Sequence, residues 1–301
     1  MRILLYLLAA VIVLSGFSAY AAEKPRKAED ILLQTYLKNI AKLEKNSFGL
    51  PLFLESSEKD DNVHVDVYGI FNSPFSSVVN MLKVPANWCD IVSLHQNVKA
   101  CTYTKLPDAW ALTFYVGRKN YQPPEDAHQV IYRYRNVAQQ QGYLDVMLDA
   151  DIGPFGTKDH RMRFEAMSLD GRKTFVHVSY SYRDSVALRL AAKAYFATLG
   201  RDKAGFTVTG TDKNGEPVYI GGPRGSIERN AVRYYFAIQT FMNTLRYPEK
   251  SRFSKRISEW YDLTTPYKRQ LYELDKKDYM TFKTDEHRNQ LILQRSLGPG
   301  L

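Results

Sequence analysis

Between residues 98 and 182 the chain passes through six strand-like segments with no long helix between them, and this limits the fold more than any other feature. The segments are 98–104, 110–117, 129–137, 143–151, 160–168 and 173–182. Consecutive strands joined this closely pair antiparallel, because a parallel neighbour needs a crossover of a dozen or more residues. Leu169-Asp170-Gly171 supplies a hairpin turn between the last two. Each segment alternates. Tyr132 and Tyr134 oppose Arg133 and Arg135, and Leu144, Val146 and Leu148 oppose Asp145, Met147 and Asp149. Met162 and Phe164 oppose Arg161, Arg163 and Glu165; Val176, Val178, Tyr180 and Tyr182 oppose His177, Ser179 and Ser181. The meander therefore has one apolar, aromatic face and one polar face. Charges on the polar face can pair across strands, each pair contributing under about 1 kcal/mol.

Before the meander, residues 28–45 place Ile31, Leu32, Tyr36, Ile40 and Leu43 at helical spacing, and Gly49-Leu50-Pro51 ends that helix. Residues 23–60 thus read as a helix followed by a loop. A strand follows, with Val63, Val65 and Val67 alternating with His64, Asp66 and Tyr68. Ser73-Pro74 opens a short helix over 75–82, Pro85 breaks it, and a second short turn over 86–92 carries Trp88 and Cys89. After the meander come an amphipathic helix over 186–199 and a hairpin around Asp212-Lys213-Asn214-Gly215. Ser226 then reads as the N-cap of a helix over 227–245, with Ala231, Tyr234, Tyr235, Ile238, Phe241, Met242 and Leu245 on its apolar face. Residues 251–295 are helical and polar.

The first segment is an address. Arg2 precedes twelve uncharged residues, 3–14, and Ala19-Tyr20-Ala21 has the small-x-small pattern of a signal-peptidase site. Twelve helical residues cover about 18 Å, short of a hydrocarbon core of roughly 30 Å. The expectation is a signal peptide over 1–21 and a periplasmic or secreted mature protein. Cleavage removes one arginine, taking the formal charge from +9 to +8. Export makes nucleic acid an unsuitable target for that charge and an anionic membrane surface a more accessible one. Lys24-Pro25-Arg26-Lys27 is one basic cluster; residues 246–295 carry twelve Lys/Arg against eight Asp/Glu, which reads first as a solvated helical surface. The two cysteines, Cys89 and Cys101, are expected to pair in an oxidising compartment. A zinc site would need more ligands than His95, and a catalytic thiol is the remaining alternative.

A strand, two short helices, a six-stranded meander and a long C-terminal helix resemble, in that order, the helix-grip fold of the START-like superfamily of lipid-transfer and polyketide-cyclase-like proteins. Residues 63–68, then Ser73-Pro74-Phe75 and Asn87-Trp88-Cys89-Asp90, look like its first strand and helical pair, and 226–245 like its gripped helix. The resemblance implies an α+β fold in which a curved antiparallel sheet wraps a long helix around a hydrophobic cavity. Here the domain would span 61–245 with an inserted helix and hairpin at 185–225, after an N-terminal helix and loop at 22–60 and before a helical extension at 246–301.

Motifs of catalysis are missing: there is no G-x-S-x-G, H-E-x-x-H, Walker loop or strand-following G-x-G-x-x-G. No metal or cofactor is expected. His64 and His177 fall on the polar parity of their strands, which reads as exposed and non-catalytic. Asp145, Asp149 and Asp151 form an acidic row that Arg133, Arg135, Arg161 and Arg163 can neutralise, so a salt-bridged exterior is preferred to a metal site. Gly221-Gly222-Pro223-Arg224-Gly225 could hold an anionic headgroup at a helix N-terminus, with Arg224 adding charge, or could be a tight turn only. The expected ligand-lining residues are Trp110, Leu112, Phe114, Tyr132, Tyr134, Val146, Leu148, Phe164, Val178 and Tyr180 of the sheet, and Tyr234, Ile238 and Phe241 of the helix. Parity does not distinguish a cavity from a filled core. The expected function is an exported carrier of a hydrophobic ligand such as a lipid. The alternatives are a cyclase- or hydrolase-like enzyme, which needs an inward acid or base, and a ligand-free envelope scaffold.

Overall fold

A computed structural model describes residues 28–140, 142–197 and 203–298; the expected signal peptide and the 24–27 basic cluster lie outside them. Helix α1 (Ala28–Glu44) leads into β1 (Leu52–Lys59) and β2 (Asn62–Phe71). The helical pair follows as α2 (Phe75–Leu82) and α3 (Pro85–Val92). The meander is β3 (Val98–Lys105), β4 (Trp110–Val116), β5 (His128–Gln140), β6 (Tyr143–Ile152), β7 (Lys158–Ser168) and β8 (Thr174–Arg183). The insert holds α4 (Val186–Ala197) and the hairpin β9 (Val208–Thr211) and β10 (Pro217–Tyr219). Helix α5 (Gly222–Thr244) is the long helix, and α6 (Glu249–Thr264), α7 (Lys268–Leu271) and α8 (Lys276–Ser296) form the extension.

The main sheet has the order β1-β2-β8-β7-β6-β5-β4-β3, antiparallel throughout. Valines 63, 65 and 67 of β2 lie opposite Tyr182, Tyr180 and Val178 of β8, so the inward parity continues across the closing pair. Helix α5 packs on β1, β2 and β8. Gly69 makes this approach possible: a Cβ there would come within 2.0 Å of the Tyr235 hydroxyl. One large core results, joining the inward face to Trp88, Ile91, Ile227, Tyr235, Phe236, Ile238 and Phe241. Cys89 and Cys101 are disulfide-bonded and fasten α3 to β3. Closing so short a loop contributes roughly 3 kcal/mol in the chain-entropy account.

Three expectations are corrected. Residues 52–59 form a strand rather than a loop; the Asp60-Asp61 turn, with φ of 49° and 65°, folds β1 back on β2. Two-residue hairpins need such positive φ, and Asp tolerates it. Helix α5 begins at Gly222, with Gly221 as N-cap and Pro223 in the first turn, so Ser226 lies inside the helix rather than capping it. Proline at a first helical turn loses no hydrogen bond, which lets the helix start before the serine.

The third correction concerns the extension, whose surface is not simply solvated. Strand β3 is an edge of the sheet, with backbone groups left unpaired by any neighbouring strand. Helix α8 covers that edge with side-chain amides. Gln290 Oε1 accepts from Cys101 N at 2.8 Å, Gln294 Oε1 accepts from Tyr103 N at 2.9 Å, and Gln294 Nε2 donates to Tyr103 O at 3.0 Å. The spacings agree: four helical residues rise about 6 Å and two strand residues about 7 Å. One turn earlier, Lys283 and Glu286 are buried against Lys99.

Candidate functional site

The inward face divides into a closed end and a looser end. At the closed end Leu112, Phe114, Val146, Leu148, Phe164, Val178, Ile238 and Phe241 are buried to 2% exposure or less. Phe164 meets the edge of Trp88 at 6.0 Å, and the Arg256 guanidinium covers Phe241 at 4.2 Å. Trp88 Nε1 and the Tyr134 hydroxyl both donate to Leu82 O, at 2.7 and 3.1 Å, which satisfies the polar tips of two buried rings. Trp110 sits beside Tyr103 at the rim and, with Tyr134, Lys83 and Asp108, lines a surface groove of about 510 Å³.

The looser end holds Tyr132, Tyr180, Tyr182 and Tyr234. Tyr180, Tyr182 and Tyr234 stay partly accessible, although all three occupy inward positions. His160 joins them: the register places it opposite Ala150 on the inward parity of β7. Its ring stacks on Tyr182 at 5.4 Å and meets the edge of Tyr132 at 6.4 Å. His95, from the α3–β3 connection, stacks on Tyr234 at 4.8 Å. Burial pushes every one of these tyrosines up, Tyr132 to about 12, and pushes His160 down to about 4 and His95 well below its ordinary range. These tyrosines and the two histidines are therefore neutral at neutral pH.

The hydrogen-bond directions around His160 follow from one carbonyl. Thr157 Oγ1 donates to Pro154 O at 2.8 Å, so it can only accept from His160 Nε2, also at 2.8 Å. The neutral ring then accepts at Nδ1, from the Tyr180 hydroxyl at 3.0 Å. The Tyr180 proton is thereby committed to His160. The hydroxyls of Tyr182 and Tyr234 make no hydrogen bond among the described residues.

Of the residues expected to line a ligand, Tyr132, Tyr180 and Tyr234 come together here with Phe114 beside Tyr132 at 4.5 Å, and the other sheet and helix positions pack the closed end or the rim. Arg224 is placed elsewhere. Its Nε donates to Ser56 Oγ at 2.7 Å, and Ser56 donates to the fully buried Glu228, which also accepts from Phe206 N and Thr207 N at 2.6 and 2.9 Å. Gly225 serves packing, since a Cβ there would meet Ile220 O at 2.7 Å. Sequence reasoning passed over His160, though its inward parity was available: it is two residues before Met162 and four before Phe164 in a period-2 pattern.

The outer face also departs from expectation. Arg135 pairs with Asp149 and Arg163 with Asp145, so two acids of the row are salt-bridged as expected, while Arg133 turns to Asp108 outside the row. His177 is not exposed, however. It lies between Asp66 and Glu165, each at 2.8 Å, with Tyr68 stacked at 4.5 Å. Helix α1 explains this: Leu32 and Leu43 pack with Phe53, Tyr143, Met167 and Phe175 on the outer face and dry the sheet beside His177. Among the described residues no acidic, histidine or cysteine group is arranged to hold a metal, and no helix is long and apolar enough to cross a membrane.

No protein-family model and no curated protein matches the chain. Solved structures do. A conserved protein of unknown function from Enterococcus faecalis is 8% identical, over 88% of this chain and 99% of that one, with a TM-score of 0.36. Human STARD10 is 9% identical over 85% and 95%, with a TM-score of 0.36. A START superfamily protein from Mycobacterium smegmatis is 11% identical over 46% and 92%, with a TM-score of 0.31. With a first core strand that closes on the last, a helical pair between that strand and the meander, and a long helix held on the inward face, the chain has an α+β helix-grip architecture.

Proposed function

We propose that this chain is an exported binding or carrier protein for a hydrophobic ligand, a lipid in particular, held between the sheet and helix α5. The observation that carries the reading is the inward tyrosine cluster, where Tyr180, Tyr182 and Tyr234 stay partly accessible beside the buried Tyr132 in an otherwise closed apolar grip. Each methylene buried there would contribute about 0.8 kcal/mol. The same end of the sheet offers a way to a membrane. Ile152 at the end of β6, Phe155 on the β6–β7 connection and Val186 and Leu190 on α4 are all exposed to more than 60%, and Ser185 Oγ donates to Phe155 O at 2.6 Å. Exposed apolar side chains grouped in this way favour a lipid surface.

The interior imidazoles argue against catalysis. A general base needs a free nitrogen within reach of substrate. His160 has both nitrogens engaged by Thr157 and Tyr180, and His95 has both engaged by Asn97 N at 3.1 Å and Asn230 at 3.3 Å.

Mass spectrometry of an organic extract of the exported protein tests the reading. A stoichiometric lipid is expected in the wild type and is expected to be lost in Tyr234→Trp, which adds bulk within the tyrosine cluster. An empty extract from folded wild-type protein refutes a tight carrier and returns weight to a scaffold or an enzyme. In the same preparation, Phe155→Asp is expected to reduce co-sedimentation with anionic phosphatidylglycerol vesicles by about tenfold or more. Unchanged sedimentation would remove that surface from the membrane contact.

A further inference from the structure

A cavity of about 180 Å³ lies outside the grip, where the helical extension meets the α3–β3 connection. Gln96, Thr264 and Leu271 are its buried lining, Tyr261 and Leu274 are half-buried, and Lys268 is exposed. Gln96 is only 3% exposed, yet neither end of its side-chain amide makes a hydrogen bond among the described residues. Its loop is pinned in place. Lys99 Nζ donates to Gln96 O at 2.7 Å, and Lys283 Nζ donates to His95 O at 2.8 Å. A buried amide held without a partner is destabilising, and at the wall of a cavity it asks what completes it.

The neighbouring hydroxyls do not supply that partner. Thr264 Oγ1 donates to Tyr261 O at 2.7 Å, Thr265 Oγ1 to the same carbonyl at 3.1 Å, and Tyr261 Oη to Leu274 O at 2.9 Å. A carbonyl only accepts, so all three protons are committed. Charge on a ligand is disfavoured by the same walls. Glu273 lines the cavity, and its carboxylate meets Lys119 at 2.7 Å, Arg233 at 2.8 Å and Lys203 at 3.2 Å. Three cations around one carboxylate repel a fourth, and the carboxylate in the wall repels an anion. A neutral ligand fits. The Gln96 amide presents an N–H and a C=O side by side, so its complement is an adjacent donor and acceptor in one plane, as in a cyclic amide. That pairing holds whichever way the glutamine amide is turned.

We propose that this cavity binds a small, neutral, planar molecule that pairs a cyclic-amide edge with Gln96, while Leu271 and Leu274 pack on its apolar remainder. The site is separate from the space between sheet and α5, and its test does not depend on the carrier reading. NMR titration of the full mature chain with 2-pyridone, N-methyl-2-pyridone (which lacks the donor) and toluene tests it. Binding is read from the assigned methyl resonances of Leu271 and Leu274 and from the side-chain NH2 of Gln96. 2-Pyridone is expected to bind roughly tenfold tighter than either of the others, which is what two net hydrogen bonds supply, and to shift the Gln96 NH2 pair. Gln96→Leu is expected to bind toluene as the wild type does and to lose the preference for 2-pyridone. Retained toluene binding shows that this variant is folded. Equal binding of the three probes, a preference that survives Gln96→Leu, or 2-pyridone that leaves the Gln96 NH2 pair unmoved in the wild type overturns the proposal. So does failure of every probe to shift Leu271 and Leu274; none of these outcomes touches the carrier reading.

Discussion

Glu286→Ala is expected to destabilise the protein by about 3–5 kcal/mol, the range for removing one partner of a buried ion pair. Two ammonium groups depend on this carboxylate. Lys99 Nζ donates to Glu286 Oε1 at 2.8 Å, and also to Gln96 O and Asn120 O at 2.7 and 3.0 Å. Lys283 Nζ donates to Oε2 at 2.7 Å, and to His95 O and Val98 O, both at 2.8 Å. Burial already pulls Lys99 down to about 8 and lowers Lys283, with Glu286 opposing that pull on both. The sign of the pH dependence follows. A lysine whose folded pKa lies below its unfolded value of about 10.4 binds fewer protons when folded, so stability rises with pH between the two. The variant, having lost the opposing carboxylate, should start that gain at lower pH than the wild type and gain more in total by about pH 10. Urea unfolding across pH checks both expectations. A variant as stable as the wild type would mean that α8 contributes no buried ion pair to the β3 edge.

His177→Asn is expected to cost about 2–4 kcal/mol, somewhat less because Asp66 is partly solvated. Burial by itself would lower His177 and raise Asp66 and Glu165. The hydrogen bonds from His177 to both carboxylates outweigh it, together with those from His64 to Asp66 and from Tyr143 to Glu165. His177 is thus held above its ordinary value and the two carboxylates below theirs. The histidine's contribution is fully present below its unfolded pKa of about 6.5 and is lost as pH rises through the higher folded value. The carboxylates contribute above about 4 and lose that contribution as pH falls through their lower folded values. Denaturation midpoints for the wild type should fall as pH rises from about 6.5 through the higher folded value, and in His177→Asn that decline should disappear. An identical pH profile in the two proteins would mean that His177 is not charged in the fold.

Much of the fold is legible residue by residue, because alternation and turn chemistry are local. The six meander strands, the helical pair at Ser73-Pro74 and Pro85, and the inserted hairpin at Asn214-Gly215 stand close to where their patterns put them. Strand β1 escaped because Glu55, Ser56, Ser57, Glu58 and Lys59 have no apolar period, and only its Asp60-Asp61 turn signalled it. The site was legible in part. Inward parity found Tyr132, Tyr180 and Tyr234, but it gave equal weight to Phe164 and Val178, which fill the closed end.

By itself the sequence determined the antiparallel meander, the long apolar helix and which strand face turns inward, since period 2 and period 3.6 are written into neighbouring residues. Only the tertiary structure decided which polar residues are buried. His177 is shielded because Tyr68, which packs against the outer-face cluster that α1 joins, stacks on it, and Gln290 and Gln294 have partners because β3 is an edge. An edge strand's unpaired N–H groups do not exist until the sheet has formed, so no local pattern can announce what will cover them.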